Sequence, residues 1–214
     1  FHTYLLAVVM GVYIIIGLLS GRIESLASVR TIYIADTFQF FLQSRLLVAT
    51  TGVLSVFVIY LIARKLYSEK VGLVASLFLA ANFLHVRNSH FGTVDVPAAF
   101  WGLLCVYFCV GIMQKGALRD YIFAAIFAAI AIATKYSMAL IVIPFIFAHF
   151  SRFQPRQWLR KILHAKLWSA AAAWFVSLLI ACPLIWLDFR ETWGGFLGTR
   201  RFETVGKIGS GGGF

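Results

Sequence analysis

The chain has 214 residues, of which 61% are hydrophobic and only 13% are charged, and its mean hydropathy is +0.88. Soluble globular domains average about 45–50% apolar and about 25% charged residues, so this composition excludes an ordinary water-soluble domain and a disordered chain. The net charge of +11 does not indicate nucleic-acid binding, because most basic residues lie in short loops between apolar segments, where they encode membrane topology. The sequence therefore predicts a membrane protein that crosses the bilayer several times.

Several long apolar segments follow one another along the chain. A membrane-spanning helix needs about 20 apolar residues, with a range near 17–25. By this measure three segments are long enough to span the membrane, namely 46–63, 96–113 and 167–187. A fourth segment, 71–86, is a short predicted span. The remaining apolar segments are 4–20, 121–134 and 136–150. The predicted fold is all-α, a polytopic transmembrane helical bundle with about six spans.

Short loops rich in lysine and arginine predict how the spans are oriented. The loops 64–70, 115–119 and 152–166 are densely basic, and such loops face the cytoplasm. The intervening segment 121–150 must then cross the membrane twice, because a single helix of that length would measure about 45 Å against a hydrocarbon core of about 30 Å. We expect two short helices with a hinge near Lys135, on the extracytoplasmic side.

The same orientation divides the chain into three parts. Residues 1–45 are expected to form an outer juxtamembrane segment, residues 46–187 the transmembrane bundle, and residues 188–214 the start of an outer loop. We interpret these parts as a single module that is incomplete at both ends, since the chain begins at Phe1 and ends in a glycine-rich polar stretch. The 4–20 segment is either an inbound span or a helix that lies on the outer interface.

The outer loop that precedes the 96–113 span contains the polar residues that most need an explanation. Ionisable side chains at membrane depth are costly and usually functional. Asp95 is a candidate base or ligand of a divalent cation, and Arg87 and His90 are candidate ligands of an anionic group. The alternative for Asp95 is structural, because an aspartate just before Pro97 is well placed to cap the helix that follows.

Two further cations are expected on the outer side. Lys135 separates two apolar segments, and Arg45 precedes an apolar span. Each is a candidate point charge for a phosphate at the outer leaflet; the alternative for each is that the side chain extends to the lipid headgroups. We expect Arg87, His90, Asp95 and Lys135 to share one pocket at the extracytoplasmic rim of the bundle.

Four stretches of the sequence form a series with a characteristic order and spacing. They are Phe1-His2-Thr3-Tyr4-Leu5-Leu6, Arg45 with the following span and Arg64-Lys65-Leu66-Tyr67, the 87–97 loop that contains Asp95, and Ala133-Thr134-Lys135-Tyr136. This series resembles membrane-embedded glycosyltransferases of the GT-C type, and most closely glycosyltransferase family 39 with its protein-mannosyltransferase and lipid-A aminoarabinose-transferase relatives. Thr3 and Tyr4 depart from the prolines that are usual in the family. The resemblance implies that 4–20 is an outer interfacial helix.

The resemblance also implies a reaction. It is the inverting transfer of a hexose or pentose from a polyprenyl-phosphate donor to a protein, lipid or glycan acceptor at the extracytoplasmic face. Asp95 would act in catalysis by positioning the acceptor or a divalent metal, Mg²⁺ or Mn²⁺. Arg87, His90, Lys135 and Arg45 would bind the substrate, since a departing phosphate needs positive charge as its bond breaks.

The family's principal catalytic acid would lie before Phe1, so we expect this chain alone to be inactive. The outer residues Asp188, Glu191 and Trp193 would border the acceptor cleft. Membrane lipids are the other expected partners, nucleic acid is not one, and the membrane is a bacterial or archaeal plasma membrane or a eukaryotic endoplasmic reticulum. The alternative function is a polytopic transporter or flippase for a lipid-linked or anionic substrate, which the expected helix break at Lys135 also fits.

Overall fold

The computed structural model describes residues 1–153 and 162–183, and this part of the chain is helical and contains no strand. Its helices are α1 (His2–Leu19), α2 (Ser28–Ala35), α3 (Thr37–Leu66), α4 (Glu69–Ala80), α5 (Phe83–Ser89), α6 (Asp95–Gln114), α7 (Leu118–Thr134), a 3₁₀ helix (Tyr136–Ile141), α8 (Val142–Phe150) and α9 (Ala165–Ala181). The all-α fold that the sequence predicts is confirmed.

Three helices among the described residues, α1, α3 and α6, are long and apolar enough to cross a membrane. A fourth crossing is present if α4 and α5 form one span, since together they pass the same test despite a bend of 62° between them. The stretch Tyr136–Phe150 and helix α9 are apolar but shorter. The chain is thus an integral membrane protein, while the number of about six spans stays a prediction.

Helix α3 begins well before the apolar segment that predicted it. It starts at Thr37 and runs for 30 residues to Leu66, which is about 45 Å of helix. Residues 37–45 mix aromatic and polar side chains, so apolar content alone does not reveal that they continue the same helix. Arg45 consequently lies within α3, on a rigid element, instead of in the connection that precedes a span.

The predicted short span 71–86 is broken in the structure. Helix α4 ends at Ala80 and α5 begins at Phe83, and the two helices are inclined by 62°. Asn82 starts the second helix, because its side-chain oxygen accepts a hydrogen bond of 2.9 Å from the amide of His85. Such a cap satisfies one of the free amides at a helix N-terminus. The cap fixes the position at which the chain turns.

The core lies where α6, α7 and α9 pack together. Its buried small side chains are Cys105, Cys109, Ala124, Ala125, Ala128 and Ala170, together with Ala148 of α8. Small residues allow membrane helices to approach closely, which favours van der Waals packing where lipid removes the hydrophobic driving force. At the end of α6 the approach is close, since a Cβ on Gly111 would lie 2.8 Å from the carboxyl carbon of Asp120 on α7.

Contacts between distant residues show which loops meet at one end of the bundle, which we call the basic end. There Gln114 donates a hydrogen bond of 2.8 Å to the carbonyl of Lys65, and the ammonium group of Lys166 donates one of 2.7 Å to the carbonyl of Gly116. The three loops that the sequence predicts on one side of the membrane therefore meet at the same end, within the part of the chain that the structure describes.

The opposite end of the bundle, which we call the site end, is where α1 packs. The ring of Phe1 meets Trp101 of α6 edge-on with centroids 5.9 Å apart, and Tyr13 meets Phe40 of α3 with centroids 6.0 Å apart. These contacts join α1 to the portions of α3 and α6 at the site end. Because α1 is itself long and apolar enough to span, its position on the outer interface stays a prediction.

Candidate functional site

Lys135 lies at a break between two helices of the site end. Helix α7 ends at Thr134, Lys135 is extended with φ −149° and ψ 117°, and the 3₁₀ helix begins at Tyr136. The hydroxyl of Thr134 donates to the carbonyl of Ile130 within the last turn. The hinge expected near Lys135 is thus confirmed, and it places a lysine where the chain reverses its direction.

Asp95 is the first residue of α6 and accepts a hydrogen bond from the ammonium group of Lys135, with which it forms an ion pair. The two residues come from the N-terminus of α6 and the C-terminal end of α7, which pack side by side. The capping alternative is not what the structure shows, because Val94 precedes the helix and no side chain caps it. The Asp95 side chain also lies at the positive end of the α6 helix dipole.

The Asp95–Lys135 pair is open on one side. The exposed fractions of the two side chains are 44% for Asp95 and 40% for Lys135. A lysine ammonium has three N–H donors, and a carboxylate has two acceptor oxygens. The contact between them leaves donors on Lys135 and an oxygen on Asp95 for other groups. The pair can therefore hold an anionic oxygen and a hydroxyl group next to each other.

Arg45 and His90 line a second feature of the site end, a cavity of about 440 Å³ between α3 and α5. The Nδ1 of His90 donates to the carbonyl of Val86 at 2.7 Å, which leaves its Nε2 unused by that bond. The Nε2 of His85 donates to the carbonyl of Gly52 at 3.1 Å and joins α5 to α3. The cavity thus has basic side chains at its rim.

Arg45 also borders a cavity on its other side. This second cavity, of about 450 Å³, lies between α1, α2 and α3 and includes Tyr33, Phe40, Phe41 and Phe91 among its walls. Among the residues that the structure describes, neither a hydrogen bond nor an ion pair holds the Arg45 guanidinium. Arg45 is therefore an exposed cation between two cavities.

The helices that carry the two groups of residues are in contact. A Cβ on Gly52, which lines the first cavity, would lie 2.5 Å from the hydroxyl of Ser89 and 3.6 Å from a methyl group of Val96, the residue after Asp95. Arg87 is exposed on α5 and lines neither cavity. The structure therefore brings Asp95 together with Lys135, and Arg45 together with His90, while Arg87 lies apart.

Sequence reasoning missed His85 and Gly52 as parts of this site. The signal for His85 was a histidine in the same short polar stretch as Arg87 and His90. The signal for Gly52 was a glycine inside an apolar helix, which often marks a close approach. The predictions for Asp188, Glu191 and Trp193 lie outside the described residues.

A metal site was expected at Asp95. Within residues 1–153 and 162–183, no group of three or more histidine, cysteine, aspartate or glutamate side chains comes together. The partner of the Asp95 carboxylate in this part of the chain is Lys135. Binding of Mg²⁺ or Mn²⁺ by Asp95 stays a prediction.

The fold and the site can be compared with known proteins. Residues 38–186, which are more than half of the chain, match the family model of dolichyl-phosphate-mannose-protein mannosyltransferases. The match includes α3 to α9 and all five residues predicted for the site. No curated protein and no solved structure matches the chain. This chain, a bundle of apolar helices with an aspartate–lysine pair at one end, belongs to the dolichyl-phosphate-mannose-protein mannosyltransferase family of GT-C glycosyltransferases.

Proposed function

We propose that this protein transfers a sugar from a polyprenyl-phosphate donor to an acceptor at the extracytoplasmic face of the membrane, with inversion at the sugar carbon. The observation that carries the proposal is the Asp95–Lys135 ion pair at the site end of the bundle. Family membership supplies the reaction class. The pair supplies a cation and a carboxylate next to each other, on the part of the bundle opposite the basic end.

The charge distribution supports the choice of face. Lys65, Lys115 and Lys166 belong to the basic end, and basic loops remain in the cytoplasm. The site end then faces away from the cytoplasm, and Asp95 and Lys135 lie near the level of the lipid headgroups. A polyprenyl donor keeps its chain in the bilayer, so its phosphate is presented at this level.

The reaction makes clear demands on these residues. The acceptor oxygen bonds to the anomeric carbon of the sugar, the bond from that carbon to the phosphate oxygen breaks, and the lipid phosphate leaves with the bonding electrons. The acceptor proton passes to a carboxylate base. Negative charge grows on the phosphate, so cations placed beforehand stabilise the transition state.

We assign the phosphate to Lys135, with Arg45 and His90 as the surrounding cationic or hydrogen-bonding groups. Lys135 is held in place by Asp95, so its ammonium group is oriented before the donor arrives. Asp95 fulfils two roles in this proposal, because it orients Lys135 and offers its second oxygen to the acceptor hydroxyl.

Replacement of Asp95 by asparagine tests the proposal. D95N keeps the size of the side chain and removes its charge, so we expect sugar transfer by the full-length protein to fall by about 10²–10⁴-fold, the usual contribution of a group that acts in proton transfer or charge stabilisation. Transfer is measured in proteoliposomes with a radiolabelled polyprenyl-phosphate sugar, after the amount of folded protein has been matched.

The control is D36N. Asp36 lies at the start of α3, is exposed and caps nothing with its side chain, so this variant should keep the transfer rate. A rate for D95N within about threefold of the unmodified protein would contradict the catalytic role of Asp95, because the expected loss is at least tenfold larger.

A further inference from the structure

A long furrow runs between α3 and α4 below the site end. The cavity that Arg45 lines continues into another of about 500 Å³, because Val53, Val56 and Ala80 belong to the walls of both. We call the combined depression the α3–α4 furrow; it extends along α3 from Arg45 to Tyr60. Below Arg45, the part of its wall that α3 supplies is apolar except at Tyr60.

The furrow exists because α4 and α5 touch α3 at two separate points. Near the top, the ring of His85 donates to the Gly52 carbonyl and holds α5 against α3. Near the bottom, α4 approaches closely, since a Cβ on Gly72 would lie 2.9 Å from the carbonyl oxygen of Tyr60. The 62° bend between α4 and α5 separates these two contacts. The space between these two contacts is therefore set by the way in which α4 and α5 pack on α3.

The length of the furrow limits what can fill it. The 45–60 segment of α3 rises about 22 Å at 1.5 Å per residue. A hydrocarbon core about 30 Å thick gives each leaflet about 15 Å, so the furrow continues past the middle of the bilayer. An acyl chain of a phospholipid ends within its own leaflet. A longer single chain with an anionic group at Arg45 matches both the length and the charge of the furrow.

We propose that the α3–α4 furrow binds the isoprenoid chain of a polyprenyl phosphate, and that its phosphate, assigned above to Lys135, is also contacted by Arg45 and His90 at the upper end of the furrow. This inference rests on the proposed function and identifies where the lipid of the donor lies. The phosphate then enters between α3 and α5, on the side where Val96 and Asp95 begin α6. The chain remains in contact with the bilayer, because Val53 and Phe57 are largely exposed.

A bulky residue in the furrow tests this assignment. Val53 is shared by both cavities and is 71% exposed, so V53W blocks the furrow without entering the core. We expect the Kd of the full-length protein for a sugar-free long-chain polyprenyl phosphate to rise by about tenfold, which corresponds to about 1.4 kcal/mol. Binding is measured in nanodiscs with a radiolabelled polyprenyl phosphate, so the result does not depend on sugar transfer.

Two comparisons make the test specific. L54W changes the next residue, which is also exposed but lines neither part of the furrow, and it should leave the Kd unchanged. A two-isoprene phosphate reaches only a short way down the furrow, and Val53 lies about 12 Å of helix below Arg45, so V53W should change its Kd less than that of the long-chain ligand. R45A should weaken both the long and the short ligand.

The outcomes separate this inference from the proposed function. Equal long-chain affinity in V53W and L54W would overturn the furrow assignment, even if the protein transfers sugars. Loss of a copurifying phospholipid from V53W with no change in polyprenyl phosphate binding would overturn it too, in favour of a structural lipid. If V53W weakens long-chain binding while the full-length protein with the native Val53 transfers no sugar, the furrow assignment stands and the proposed function fails.

Discussion

The ion pair between Asp95 and Lys135 contributes little to folding stability by itself. Both side chains are about half exposed, and exposed ion pairs contribute roughly 0–1 kcal/mol. A buried pair would instead be costly to break. The arrangement is therefore better explained by a task at the site end than by the stability of the helix bundle.

Truncation of Lys135 is expected to affect the donor more than the acceptor. K135A should raise the donor KM by about 10–100-fold, since a hydrogen bond to a charged group contributes roughly 1.5–3 kcal/mol, and it should leave the acceptor KM within about twofold. Initial rates measured against each substrate in turn separate the two constants.

Lys135→Arg is the matched variant for this experiment. It keeps the charge and should recover most of the donor affinity, although its planar group does not reproduce the geometry of an ammonium. A donor KM that is unchanged in K135A would leave Lys135 with no role beyond its contact with Asp95 and the lipid headgroups.

The pairing of Asp95 with Lys135 could be anticipated from the sequence only in part. The charged residues stood out because apolar segments surround them, and the hinge followed from segment length. The mutual contact needed the structure, because it depends on α6 and α7 ending at the same level. Arg87 was expected in the same pocket as His90 because the two residues are close in sequence. In the structure His90 lines the cavity between α3 and α5, and Arg87 does not.

At the scale of the helices, the hairpin of α6 and α7 is the most tightly fitted pair. Gly111 lies against the buried Asp120, and an added Cβ would approach the carboxyl atoms of Asp120 to 2.8–3.0 Å. Asp120 is 5% exposed and lies in the first turn of α7. There is consequently little room for its side chain to move.

We expect Gly111→Ala to destabilise the protein despite the higher helix propensity of alanine. Overpacking a fitted site costs roughly 1–3 kcal/mol, against a gain of about 1 kcal/mol from replacing a helical glycine. The measurement is the apparent Tm in detergent, and it should fall for G111A.

Gly11→Ala provides the control, because an added Cβ at Gly11 of α1 meets nothing within 4 Å. That variant should keep or slightly raise the Tm. Equal effects of the two substitutions would show that the contact between Gly111 and Asp120 does not limit the packing of α6 on α7.

The helix boundaries show why the sequence predicted some elements better than others. The break at Lys135 was predictable, since a charged residue interrupts two apolar segments. The bend at Asn82 was not predicted, although an asparagine three residues before His85 is typical of a helix start. The segment 71–86 is continuous in hydropathy, and hydropathy carries no information about capping. The start of α3 at Thr37 was also missed, because its first turns contain polar residues and therefore do not belong to the apolar segment.

At the scale of the whole molecule, the two ends of the bundle differ in charge and in role. The basic end is fastened by side chains that donate to backbone carbonyls, such as Lys166 to Gly116 and Arg152 to Ile112. The site end carries Asp95 with Lys135, and it has cavities between its helices. The sequence could predict this architecture because the charges of the loops indicate which loops lie at the same end of the bundle. The lengths of the apolar segments indicate how often the chain passes between the two ends.

Cysteine labelling tests the orientation that follows from this separation. In a variant without Cys105, Cys109 and Cys182, a cysteine in place of His90 should react with a membrane-impermeant maleimide in intact cells. A cysteine in place of Lys115 should react only after the membrane is permeabilised. Both native positions are exposed in the structure, so the difference reports membrane sidedness. The reverse pattern would invert the bundle and contradict the proposed face of the reaction.

The contact of Asp95 with Lys135 has a consequence for how a substrate first meets the protein. The pair is neutral as a whole, so Lys135 exerts little attraction until a ligand is already beside it. Arg45 and Arg87 are exposed and form no ion pair within residues 1–153 and 162–183. Electrostatic steering of an anionic headgroup, and the sensitivity of the encounter rate to ionic strength, therefore depend on exposed cations such as these two arginines. Lys135 acts only after arrival.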